Sequence, residues 1–154
     1  PPFACIVPEK RKEITTEGGL NLDVKTKFLK MIILKLKKKK IRVSLFIEPT
    51  KSDIQKAKLL DADCVEIHTG RFCNLVNSNT NYDRELLRIK KAVVLANKIG
   101  LEVHAGHGLT YKSAKILSKI KGIKEFNIGH FLIGESIFYG LTEIIKKFRK
   151  ILKF

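Results

Sequence analysis

Residues 104–110 read HAGHGLT. His104 and His107 stand three residues apart, with Gly106 and Gly108 beside them and nothing larger than alanine in between. Imidazole is the side chain whose unperturbed charge change falls near neutral pH, so a bare stretch holding two of them invites chemistry. Three readings fit the types and the spacing: a metal site, an acid–base centre, or two polar residues closing a strand. Further candidates lie in EIHTG (66–70) and NIGHFLIGES (127–136). In the second, Gly129 and Gly134 bracket a strand-to-helix turn, and bare N–H groups at a helix N-terminus can hold phosphate. The same glycines could simply satisfy turn geometry. Glu135, expected in the first turn of that helix, would repel a phosphate unless it pointed away. TTEGG (15–19) reads as a substrate-gripping loop or as a helix N-cap.

The elements that must position these residues follow from periodicity. Short β-branched runs predict strands at 3–7, 41–47, 64–69, 101–105 and 125–129. Helical spacing predicts helices over 22–38, from Ser52–Asp53, from Asp83 to Gly100, over 111–120, and over 134–154. The Asn-rich stretch 74–82 reads as a solvated loop. Strands alternating with helices imply an α/β fold with a parallel sheet. Within the strands, Val65 and Ile67 share one face while Cys64, Glu66 and His68 share the other; Leu101, Val103 and Ala105 likewise oppose Glu102, His104 and Gly106. A sheet covered by helices on both sides would have two apolar faces. One apolar and one polar face favours a (β/α)8 TIM barrel. About five strand–helix units are present, so about three more are expected to precede Pro1, giving an N-terminally incomplete barrel. In that fold chemistry sits at the C-terminal ends of the strands. The ends of the first, third, fourth and last strands are expected to gather His68, His104, His107 and His130 at one end of the barrel.

Composition narrows the partners. The chain has 154 residues, 44% of them hydrophobic, which suits a single globular domain over 1–154. No apolar run approaches the ~20 residues of a membrane span, and the start lacks a signal-peptide layout. Three cysteines without a CxxC spacing predict neither disulfides nor a zinc ribbon; Cys5 and Cys64 read as buried thiols in a reducing cytoplasm. The net charge of +16 raises the question of nucleic acid. Only Arg11, Arg42, Arg71, Arg84, Arg88 and Arg149 among the 31 basic residues are arginine, and the lysines are spread over every segment. Nucleic-acid surfaces concentrate arginine and interleave aromatics, so neither a nucleic-acid nor a membrane partner is expected. The run KLKKKK (35–40) reads as the cationic end of a helix.

VPEKRKEITTEGGL, RVSLFIEP, VEIHTGRF, HAGHGLTY and FNIGHFLIGESIFYGL come in an order and spacing that resembles the pyridoxine 5′-phosphate synthase family, over roughly the C-terminal two thirds of its length. The resemblance implies a (β/α)8-barrel enzyme of vitamin B6 biosynthesis. Its members condense 1-deoxy-D-xylulose 5-phosphate with 3-amino-2-oxopropyl phosphate, releasing phosphate and water, with no metal or organic cofactor. It implies that His107 is the proton donor and that Glu66 stabilises positive charge in the transition state. Thr15 would contact the deoxyxylulose phosphate; Gly108, Gly129 and His130 would contact the amino-ketone phosphate. It further implies a homo-oligomer. His104 replaces what is typically Asn in the family and is expected to be a polar strand residue, not a second catalytic group. Glu135 stands where a basic residue is often found. The family's general-base His and second acid–base Glu lie in the N-terminal part, so the 154 residues alone are expected not to turn over. Two alternatives stay open: a non-catalytic truncated relative, and a metal-dependent hydrolase using His68, His104, His107, His130 and Glu66.

Overall fold

The computed structural model describes residues 1–8, 18–24 and 26–153. Five parallel strands alternate with seven helices among them. They are β1 (Phe3–Ile6), α1 (Thr26–Lys38), β2 (Arg42–Ile47), α2 (Lys51–Leu59), β3 (Cys64–His68), α3 (Gly70–Asn77), α4 (Asp83–Lys98), β4 (Glu102–Gly106), α5 (Tyr111–Leu117), β5 (Ile123–Asn127), α6 (His130–Tyr139) and α7 (Leu141–Leu152). The strands pair in sequence order, β1-β2-β3-β4-β5. Successive neighbours, each reached through a helical crossover, make an arc of a (β/α)8 barrel.

Alternation explains the two faces. Val43, Leu45 and Ile47 of β2, with Val65 and Ile67 of β3, are fully buried under the helices, where they join Leu29, Ile33, Ile54, Phe72, Ile89 and Val93 in one core. The opposite face carries Ser44, Phe46, Cys64, Glu66, His68, Glu102 and His104. Several helices start on local signals. Thr50 accepts from the Asp53 amide at 3.0 Å, and Thr110 and Ser113 cap α5 reciprocally.

Four expectations need correcting. The helix foreseen over 134–154 is two helices, because Gly140, at φ 79° and ψ 143°, breaks the chain between α6 and α7. The first of these starts at His130, so Glu135 lies beyond its first turn. Part of the presumed loop 74–82 belongs to α3, whose Phe72, Cys73 and Val76 are buried against the core. Cys64 is buried as expected, but Cys5 is exposed. Cys5 sits on the inner face of β1, an edge strand, in register with Ser44.

Candidate active site

The ends of β3 and β4 lie side by side. The register pairs Glu66 with His104 and His68 with Gly106, which places His107 at the first position past β4. Glu66 points inward and is half-buried, and Cys5 Sγ donates to its Oε2 at 3.5 Å. Burial pushes its carboxyl above the usual range, against smaller opposing effects from Cys5 and Asn127. A Cβ at Gly106 would meet the Glu66 carboxylate, which would have to move aside.

His107 is half-buried and takes a left-handed backbone, φ 80°, followed by Gly108 at φ 73°. For a residue with a Cβ such a conformation costs about 1–3 kcal/mol unless its surroundings impose it. Those surroundings are specific. The Thr69 hydroxyl lies 2.8 Å from both the Gly106 and the His107 carbonyl oxygens, and the Thr69 amide donates to Gly106 O at 2.9 Å. The His107 ring lies against His68, with centroids 5.0 Å apart.

His68 is buried, and its Nδ1 lies 2.7 Å from Glu48 Oε1. Glu48 also receives the Gly19 amide at 3.2 Å and Arg88 Nη2 at 3.0 Å. These donors, His68 first, hold its carboxyl down to about 2. Arg88 in turn binds Glu85 at 2.6 Å. Together His68, His107, Glu48, Arg88, Gly70, Arg71 and neighbouring α3 residues line a cavity of about 680 Å³. Glu48 escaped the sequence reading because its strand end carries no histidine. Its signal was positional: it directly follows β2, on the same side as His68.

The expected site residues are only partly brought together. His107 and Gly108 directly follow β4, while Glu66 stands mid-strand on β3 with its carboxylate against Gly106. Gly129 and His130 lie past β5 at the N-terminus of α6, both exposed and outside the wall of that cavity. Thr15 lies outside the described residues. His104 does not join the other imidazoles at the strand ends: it is buried mid-strand, with Nε2 2.9 Å from Glu102 Oε1 and Nδ1 3.7 Å from Glu125 Oε1. Glu135 faces Tyr111, which it helps keep protonated, burial being the larger cause.

The ligand set of a metal-dependent hydrolase does not converge. Among the described residues, the one group of three or more candidate metal ligands is Cys64, Glu102 and His104. Arg42 Nη2 reaches Cys64 Sγ at 3.2 Å and Glu102 Oε1 at 3.1 Å, supplying the positive charge an ion would bring. Burial raises the Cys64 thiol to about 11, against the Arg42 charge, which lowers it.

Comparison with known proteins agrees with the residue pattern. A family model described as "Pyridoxal phosphate biosynthesis protein PdxJ" matches residues 1–154. A pyridoxine 5′-phosphate synthase of Pelagibacter ubique is 59% identical over 151 residues, 98% of this chain and 63% of that protein. A protein of the same name from Zymomonas mobilis is 50% identical, over 97% of this chain and 57% of its own length. Another, from a Sulfurihydrogenibium species, is 46% identical, over 99% and 62% respectively. The chain thus spans about three fifths of the length of these relatives.

Proposed function

The chain belongs to the PdxJ family, and on that premise we propose that residues 1–154 act as one domain carrying the His107 side of a pyridoxine 5′-phosphate synthase site. The reaction is condensation of 1-deoxy-D-xylulose 5-phosphate with 3-amino-2-oxopropyl phosphate, with loss of phosphate and water. The observation that carries the reading is His107, held in a left-handed backbone on the wall of the cavity that His68, Glu48 and Arg88 also line.

His107 acts as proton donor to a departing oxygen, a step in which a positioned imidazole is worth roughly 10²–10⁴ in rate. Glu66, half-buried, interacts strongly with cationic charge that develops as the imine forms, because little water screens it. Gly108, Gly129, His130 and Thr15 contact the phosphorylated substrates, with Gly129 and His130 at the N-terminus of α6, where backbone N–H groups favour an anion. No cofactor is assigned a role. The working assembly is a homo-oligomer in the cytoplasm, with neither nucleic acid nor membrane as partner; no helix among the described residues is long and apolar enough to cross a membrane.

The 154 residues by themselves do not turn over, since the reading assigns further acid–base groups to the part of the relatives outside the match. The test fuses that part of the Pelagibacter ubique relative to this chain and follows pyridoxine 5′-phosphate with both substrates supplied. Product is expected from the fusion, none from the chain alone, and none from the fusion carrying His107→Ala. A folded fusion without product would overturn the assignment and favour a non-catalytic relative. Product from the chain alone would overturn the inactivity.

A further inference from the structure

We propose that three consecutive residues, His68, Thr69 and Gly70, are the positioning device of His107, each acting on a different part of it. The proposal rests on the reading of His107 as the proton donor, whereas the contacts among the four residues do not depend on it.

Thr69 acts on the backbone. Its side chain is fully buried, and its hydroxyl sits 2.8 Å from two successive carbonyls, those of Gly106 and His107. A hydroxyl hydrogen shared between them holds the two carbonyls on one side of the chain, which is what the left-handed turn at His107 requires. Cys73 supports it from α3, with Sγ 3.5 Å from His107 O and 3.7 Å from Thr69 Oγ1. Serine would keep the hydroxyl, whereas valine keeps the shape and loses the hydrogen bonds.

His68 acts on the ring. Its imidazole is packed between Phe46, with centroids 5.3 Å apart, and His107, at 5.0 Å. Rotation of His68 is prevented by the 2.7 Å contact of Nδ1 with Glu48, which Arg88 and the Gly19 amide hold in place. An ionised Glu48 accepts the proton of Nδ1, so the tautomer is set at that end. Nε2, at the other end, is buried with no hydrogen-bond partner among the described residues and lies under the space left by Gly70.

Gly70 acts by having no side chain. A Cβ there would sit 2.7 Å from His68 Nε2 and 2.8 Å from His107 Cδ2, so it would have to push the two rings apart. The glycine lets the start of α3 pass close over both imidazoles. His68 and Thr69 are therefore positioning residues that act through His107.

The experiment uses the full 154-residue chain and nuclear magnetic resonance. Two signatures are read: the amide-to-Hα coupling and cross-peaks that report a left-handed residue at His107, and the ring-to-ring cross-peak between His68 and His107. The wild type and Thr69→Ser are expected to show both. Thr69→Val is expected to lose the left-handed signature, and Gly70→Ala to lose the ring cross-peak while keeping the left-handed signature. A Val variant that retains the left-handed signature, or an Ala variant with an unchanged ring cross-peak, would overturn the proposal. So would a Val variant that melts earlier yet keeps both signatures, since that is the behaviour of a merely structural threonine. Should Thr69→Val fail to fold, Gly70→Ala decides alone. Because neither readout needs turnover, failure of this device and failure of the proposed synthase activity are told apart.

Discussion

At the scale of single residues, the site depends on groups that are cramped or charged in ways their neighbours must balance. Glu48 is the plainest case. Its carboxyl is held at about 2 in the folded chain, below the ordinary value of about 4.3. An ionised Glu48 therefore stabilises the fold at all pH values above the ordinary one, and that contribution is lost as pH falls from there through about 2. Glu48→Gln should be less stable than wild type at pH 7, and the gap should narrow by pH 3. Urea midpoints of both proteins at the two pH values check this; a gap that does not change with pH would remove the charge from the account. Gly106 is the steric counterpart. Gly106→Ala drives a methyl group into the Glu66 carboxylate, and overpacking of this kind costs about 1–3 kcal/mol. A urea midpoint equal to wild type would mean that the Glu66 side chain moves aside freely.

At the scale of elements, periodicity revealed all five strands and most of the helices, because these turn an apolar face toward the core, fully buried in β2, β3 and β4 and partly in β1 and β5, and so leave a regular trace. It failed where a single residue overrides the pattern. The stripe Ile137, Leu141, Ile144 and Phe148 continues smoothly across the break, so the apolar spacing alone could not show that Gly140 ends one helix and starts another. Only the last two of those side chains are buried, with Ala114, in a small cluster beneath α7. Helix α3 was hidden for a different reason: it starts one residue after β3 and ends among asparagines, and its Phe72–Val76 spacing is a single i, i+4 pair. The site was legible where the fold rule about strand ends met histidine, at His68 and His107. It was not legible at Thr69, whose contribution is a pair of hydrogen bonds to backbone that no residue pattern displays. The Gly140 break is testable at this scale. Its backbone lies where only glycine is comfortable, so Gly140→Ala should cost about 1–3 kcal/mol, seen as a lower melting temperature. An unchanged melting temperature would mean that α6 and α7 can join without penalty.

At the scale of the whole molecule, two opposing terms govern how copies meet. The sheet ends at β1 and β5, each paired on one side only among the described residues, and such edges are templates for further pairing. Nearby, α6 is strongly apolar yet buries none of its residues, leaving Ile133, Ile137, Phe138 and Tyr139 mostly exposed. An apolar surface of that kind drives association. Against it stands a net charge of +16, which makes every pair of copies repel. The repulsion acts through solvent and is screened over roughly 10 Å at 0.1 M salt and about 3 Å at 1 M, whereas burial of apolar surface and strand pairing are little affected by salt. Raising the salt should therefore promote self-association of this chain, and sedimentation at a fixed protein concentration should show larger species at 1 M than at 0.1 M. Dissociation at high salt would mean that ion pairs between copies, and not the edges and α6, hold the assembly together. Ile137→Lys together with Phe138→Lys separates the two apolar contributions: loss of the salt-induced species would assign them to α6, and their persistence to the strand edges.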